Sequence, residues 1–161
     1  MAYTEELVAR CSAADAAVAL GVITVLSAAQ HYPVLGHFMS ARSLNAEMLM
    51  REISGGLTRE LTDGMAAGVF HSDDVGLATD MVLGMVRVAM LRLASRQTEP
   101  LSPDEYISGA IAAILRCLGV ARSRALELTS TAPVTPVFAE NSIVARAQAR
   151  RDAHEKGGHL T

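Results

Sequence analysis

The side chains best suited to chemistry here are histidines and cysteines, and their spacing offers little of it. His154 and His159 stand in HEKGGH, which superficially resembles a zinc-protease pattern. In that pattern the histidines are four apart on one helix, so that both reach one metal. Here they are five apart, and Gly157-Gly158 interrupt what must be a helix, so no metal site is expected. His31 and His37 flank Pro33 beside an apolar run. They read either as turn or core-edge histidines, or as one polar contact inside an apolar pocket. Cys11 and Cys117 lack a C-x-x-C spacing and each sits in an apolar helical pattern. No disulfide scaffold is expected, and a reducing cytoplasm fits.

The chain holds no G-x-S-x-G, no G-x-G-x-x-G and no phosphate-binding loop ending in Gly-Lys-Ser/Thr. It also lacks the Glu-x-x-His pair of carboxylate-bridged di-iron bundles. No catalytic residue and no cofactor is assigned, and the expectation is a protein that is not an enzyme. The methionines at 39, 48, 50, 65, 81, 85 and 90 read as core fillers or as an adaptable surface for varied apolar ligands.

Composition narrows the class. Half of the 161 residues are apolar and only 4% are aromatic. One domain of this length buries roughly 70% of its unfolded surface. Fourteen basic against seventeen acidic side chains give a formal charge of −3. Nucleic-acid-binding domains carry a basic excess, so no direct nucleic-acid binding is expected. Glu5 and Glu6 stand where a secretory signal carries positive charge. Ala16 to Ala41 carries no Asp, Glu, Lys or Arg, but Gln30, His31, Tyr32, Pro33 and His37 interrupt it. The continuous apolar part, Ala16 to Ala29, is shorter than a bilayer span and suits a buried core helix. The expectation is a cytoplasmic protein with no membrane contact.

These residues must be positioned by helices, because apolar side chains recur every three or four residues and no strand-like alternation runs any length. The first helix starts at a Thr4 cap and carries Leu7, Cys11, Ala14, Val18, Val22, Val25 and Ala29 on one stripe. Its second half is apolar nearly all round and needs enclosing helices. Pro33 stops it, and a short helix follows from Pro33 to Arg42. Asn45 caps a third helix with Leu49, Ile53, Leu57, Leu61 and Met65 as its buried stripe. Gly55-Gly56 inside it cost about 1 kcal/mol each relative to alanine. A close helix crossing, an approaching ligand or a tolerated weakness accounts for them equally well.

GMAAGVFHSDD, residues 64–74, contains a G-x-x-x-G of the kind that packs membrane helices. Arg59, Asp63, Asp73 and Asp74 crowd it on both sides, so no hydrocarbon-length segment fits around it. It reads instead as a helix end with Gly68 in the left-handed position, then a cap at Ser72 or Asp73. The fourth helix, 75–96, shows two apolar stripes: Leu77, Met81, Met85 and Val88, then Ala78, Val82, Ala89 and Leu93. The fifth, 103–122, opens on a capping box of Ser102, Pro103 and Glu105, with Leu101 and Tyr106 placed as a staple. Ile107, Ile111, Ile114 and Leu118 line one face, flanked by Ala110, Ala113 and Cys117. Residues 125–161 read as a Pro-containing linker and polar tail holding at most one extra helix, outside a domain of residues 1–124.

This order of elements resembles the C-terminal ligand-binding and dimerisation domain of TetR-family transcriptional regulators. The likeness rests on a long apolar helix leading into HYP, a long helix ending GMAAGVF, SDD opening a helix with LGM, and TEPLSPDEY before a helix ending ILRCLG. It covers about Ala2 to Arg122. It implies an all-α multi-helix bundle whose last two long helices form a four-helix bundle with a second copy. It further implies a small, largely apolar ligand enclosed by the first three helices and one face of the fourth. On that basis Val22, Leu26, His37, Phe38, Met48, Glu52, Met81 and Met85 are expected to line the pocket. Gly84, Val88, Leu91, Ile107, Ala110, Ile111, Ile114 and Leu118 are expected to face the partner in a homodimer.

The family carries a helix-turn-helix head ahead of this domain, and nothing of that kind precedes MAYTEEL. The expected function is therefore effector binding and dimerisation without a DNA-reading head. The alternatives are a helical scaffold without ligand, or an enzyme using a bundle cavity, which would need converging polar groups.

Overall fold

The computed structural model of the chain describes residues 13–40, 44–130, 138–140 and 142–157, with side chains described except at 39–40, 44–53, 143 and 155–157. Thr4 and the rest of the expected first turns lie outside the described residues. Seven helices and no strand occur among the described residues: α1 (Ala14–His31), α2 (Pro33–Ser40), α3 (Leu44–Ala66), α4 (Val75–Ala94), α5 (Pro103–Cys117), α6 (Arg122–Thr129) and α7 (Ile143–Gly157). The all-α expectation holds.

α1 is the centre of the bundle, as its all-round apolar surface requires. It packs against α2, α3, α4, α5 and α6. Its length and composition would suit a membrane span, but 61% of it is buried inside the protein. Val18, Val22, Ile23 and Leu26 join Leu61 of α3, Val82, Ala89 and Leu93 of α4, and Ile107, Ile111, Ile114 and Leu115 of α5 in one core. The Asp15 carboxylate, 6% exposed, is held by the Arg124 guanidinium at 2.8 Å. That contact pins the start of α1 to α6.

Phe70 and Gly68 explain the α3–α4 junction. Gly68 has φ +70°. Its N–H donates to the Met65 carbonyl at 3.0 Å, and the Val69 N–H donates to the Gly64 carbonyl at 2.8 Å. This is the Schellman pattern, which satisfies the last carbonyls of α3. The Phe70 ring occupies the space a Cβ on Gly64 would need, so Gly64 makes room for a folded-back aromatic. The cap of α4 falls one or two residues later than expected: Asp74 Oδ1 accepts from the Leu77 N–H, and the Ser72 hydroxyl donates to the Asp74 carbonyl.

The fifth helix is shorter than expected. Gly119, at φ +88°, closes α5 with a second Schellman pattern, Gly119 N–H to Arg116 carbonyl and Val120 N–H to Leu115 carbonyl, both 3.0 Å. The chain then turns into α6, whose Ala125 and Leu128 are buried in the main core. The core therefore continues past Arg124. Ser102 and Glu105 form the expected capping box at the start of α5. Residues 131–137 of the Pro-containing linker lie outside the described residues. α7 forms where one extra helix was allowed for, and it docks on α2: the Gln148 side-chain oxygen accepts from the Val34 N–H at 3.1 Å. Phe138, ahead of α7, meets Tyr32 edge-on at 5.0 Å between ring centroids.

Candidate functional site

α4 carries the two apolar stripes that its sequence shows, and they have different fates. Ala78, Val82, Ala89 and Leu93 are buried in the core. On the opposite side Leu77 and Val88 are 60% exposed, Met81 44% and Leu91 40%. Burying one such side chain fully is worth roughly 1.5–3 kcal/mol, so a row of them uncovered along one helix marks a contact surface. Leu77, Met81, Gly84, Val88 and Leu91 alternate four and three residues apart, the spacing of a seam between paired helices.

Beside this row an open groove of about 460 Å³ runs between α4 and α5. Gly84, Met85, Val88 and Ala89 form one wall, and Leu101, Tyr106, Gly109 and Ala110 the other. The Arg92 guanidinium lies over the Tyr106 ring, 5.3 Å from its centre, fixing that ring at one end. Among the described residues nothing lies within 4 Å of where a Cβ on Gly84 or Gly109 would stand. Both glycines thus present bare backbone to whatever covers the surface.

The expected contact residues divide between this surface and the interior. Gly84, Val88, Leu91 and Ala110 lie on the open surface or its groove. Ile107, Ile111, Ile114 and Leu118 do not: each is buried in the chain's own core. The reason is that α5 must bury its strongest apolar stripe against α1 and leave its small-residue flank outward. Leu77, Leu101, Tyr106 and Gly109 on the open surface were not assigned to it. The four-three spacing of Leu77 with Met81 is the signal that would have found the first.

The expected ligand contacts are scattered. Val22 and Leu26 are packed in the core, and Leu26 has no exposed surface at all, so in this conformation no space adjoins it. Met81 lies on the outward row, and Met85 lines the outer groove; neither joins Val22 and Leu26 in an interior pocket as expected. His37 is half-buried on α2, and Phe38 beside it is exposed. The Met48 and Glu52 side chains, on α3, lie outside the described residues. His31 is exposed, and its Nδ1 donates to the Ser27 carbonyl at 2.9 Å, which fits a turn histidine.

Polar groups inside the bundle are few. The Thr58 hydroxyl of α3 and the Thr79 hydroxyl of α4 lie 3.2 Å apart, and each also has a carbonyl acceptor within reach one turn earlier in its own helix. The Ser27 hydroxyl on α1 is fully buried and has no hydrogen-bond partner among the described residues. No group of three metal-ligating side chains comes together among the described residues. Gly55 and Gly56 have nothing within 4 Å of a Cβ position, so a close crossing among the described residues does not account for them.

The fold is shared with solved structures. RolR in complex with resorcinol superimposes with a TM-score of 0.68 at 20% identity, covering 84% of this chain and 65% of the RolR chain. RolR without ligand gives 0.60 at the same identity, covering 84% of this chain and 67% of that one. This chain therefore spans about two thirds of the length of the RolR chain. What the likeness shows is a shared all-helical fold. No family model matches the chain, and no curated protein sequence does.

Proposed function

We propose that this chain is the effector-binding and dimerisation domain of a TetR-like transcriptional regulator, a cytoplasmic homodimer that senses a small, largely apolar molecule. The observation that carries the reading is the fold held in common with RolR over 84% of the chain. The net charge of −3 assigns these residues no part in DNA contact. The effector site is placed among α1, α2 and the N-terminal half of α3, the elements that carry Val22, His37, Phe38, Met48 and Glu52. The buried, unpartnered Ser27 hydroxyl supports an effector with a polar group, since a bound hydroxyl would satisfy it.

The path from effector to dimer is short. A Cβ on Gly36 would stand 2.5 Å from the Ala94 Cβ and 2.6 Å from the Met90 carbonyl oxygen, so α2 lies backbone-close against the end of α4. An effector that moves α2 therefore moves the helix bearing the outward apolar row. The ligand acts by binding one arrangement of α2 and α4 more tightly than the other.

Thermal melting with a panel of small phenols, resorcinol first, tests this. An effector at a hundred times its Kd adds about 2.7 kcal/mol of stability, a clear rise in Tm. Ser27→Ala should raise the Tm of the free protein, because an unsatisfied buried hydroxyl costs about 1–3 kcal/mol, and should shrink the rise on adding effector. A panel without any effect, on a protein that sediments as a monomer at micromolar concentration, would sink the reading.

A further inference from the structure

α2 is a helix that its own residues hold poorly. It has eight residues, PVLGHFMS, about two turns, and isolated helices that short are marginal in water. Gly36 in its middle and β-branched Val34 lower its propensity further. Its start lacks a local cap. The residue before Pro33 is Tyr32, not a Ser, Thr, Asp or Asn whose side chain could accept from the first turn. The Tyr32 carbonyl takes the Leu35 N–H at 2.8 Å, and Pro33 has no N–H to place. That leaves the Val34 N–H.

The Val34 N–H finds its acceptor 114 residues along the chain. Gln148 Oε1 of α7 accepts from it at 3.1 Å, the part an N-cap side chain plays in an ordinary helix. The amide is set for this by its own helix: Gln148 Nε2 donates to Asp152 Oδ1, one turn on, at 2.8 Å. With the nitrogen so engaged, the oxygen is the end turned to α2. Phe138, ahead of α7, closes on Tyr32 edge-on beside the same corner.

α7 is no stronger by itself. Of its fifteen residues only Ile143 and Val144 are large and apolar, and it packs chiefly against α2. Each of two weak helices thus lends the other what it lacks: α2 gains a cap, and α7 gains a surface to lie on. On its other side α2 brings Gly36 backbone-close to Met90 and Ala94 of α4, an approach that needs α2 to stay helical. Elements with few buried contacts of their own open locally before the rest, in contiguous units.

We propose that α7 is a releasable strap: through Gln148 it caps α2 from outside, and α2 and α7 open together, ahead of the remaining bundle. This deepens the effector reading above and rests on it in one respect, because α2 is a wall of the effector site placed there. α7 docked keeps that wall closed. α7 released opens it without disturbing α1, α4 or α5.

Hydrogen exchange read by mass spectrometry on the full chain, without effector, tests this. Segments covering α2 and α7 should exchange faster than those covering α1 and α4, and dilute urea should speed both by the same factor. Gln148→Met keeps the length of the side chain and removes the acceptor. It should speed exchange in α2 about three- to tenfold, the equivalent of one lost hydrogen bond, with α1, α4 and α5 unchanged. Gln148→Glu keeps an acceptor facing the positive end of α2 and should stay within about twofold of wild type. Asp152→Ala, which lets the amide turn, should move α2 in the same direction as Gln148→Met. An α2 indifferent to Gln148→Met, or a rise spread evenly over all helices, overturns the strap. So does a Gln148→Glu chain that behaves as Gln148→Met does, or a urea dependence that differs between α2 and α7. Because no effector is added, a strap that holds while the phenol panel fails sinks only the effector reading, and the reverse result sinks only the strap.

Discussion

Asp15 is a charged group in a place that an apolar helix would otherwise fill, and its chemistry sets a stability that depends on pH. The Arg124 guanidinium hydrogen-bonds its carboxylate and holds its pKa below the ordinary value, against the opposing effect of burial. The Ala16 N–H adds a second hydrogen bond at 2.8 Å. A carboxyl whose pKa is depressed on folding stabilises the fold above its unfolded pKa, about 4, and loses that contribution as the pH falls through the folded value. Arg124 is partly exposed and also pairs with Glu127 at 3.0 Å, which lessens the cost of losing Asp15. Asp15→Asn should therefore lower stability by about 1–2 kcal/mol at neutral pH. Urea titrations from pH 7 to pH 3 should show a constant gap from wild type down to about pH 5 that closes below pH 4. A gap unchanged at pH 3 would mean that the ion pair is not its source. In the sequence Asp15 was legible only as the edge of an uncharged run. Its partner is 109 residues away, and no local pattern announces a contact of that separation. Gly68, Ser102 and Glu105 were legible because capping is local: the side chain that ends a helix sits within a few residues of the groups it satisfies. Glu105 shows this directly, its pKa lowered by hydrogen bonds from the Ser102 hydroxyl and backbone.

Between elements, the contact of α2 with α4 turns on one glycine that no sequence pattern marked. Gly36 falls in a short helix where alanine would raise helix propensity by about 1 kcal/mol. A methyl group there would press on Ala94 and on the Met90 carbonyl of α4, and backbone cannot yield as a flexible side chain can. Overpacking of this kind costs about 1–3 kcal/mol, so it outweighs the propensity gain. Gly36→Ala should lower the denaturation midpoint and reduce any effect of effector on dimer stability, since it separates the two helices. Gly55→Ala is the matched control. Among the described residues nothing stands within 4 Å of its Cβ position, so the free protein should gain up to about 1 kcal/mol. Equal destabilisation by both changes would show that helix geometry, and not the α2–α4 approach, is what Gly36 serves. Helix identity was legible from spacing, because each helix needs one apolar stripe. Which face of α5 turns inward was not. Ile107, Ile111, Ile114 and Leu118 make an apolar stripe that would serve a partner as well as a core, and only the position of α1 decides between them.

At the scale of the whole molecule, the part most hidden from the sequence is the role of the C-terminal helix. α7 is polar and has little apolar surface to bury, yet it lies across α2 at the corner where α1 ends. Gln148 occupies the Val34 N–H, a donor that a helix start otherwise leaves to water, and Phe138 covers Tyr32. α2 is thus held on two sides, by α4 through Gly36 and by α7 through Gln148, and the outward face of α4 is touched by neither. Stability and pairing should therefore separate. Ending the chain after Ser130 removes one hydrogen bond worth about 1 kcal/mol and one aromatic contact worth about 0.5–1.5 kcal/mol. For a domain of this size that corresponds to a fall in Tm of roughly 3–10 °C. The shortened chain should still sediment as the full chain does, because Leu77, Met81, Gly84, Val88 and Leu91 keep their places on α4. If the truncation dissolved a dimer, α7 would belong to the pairing surface and the α4 row would not suffice to build it. If Tm did not move, α7 would not be docked on α2 in solution. A lower Tm with pairing intact would leave α7 as a clamp on α2 alone.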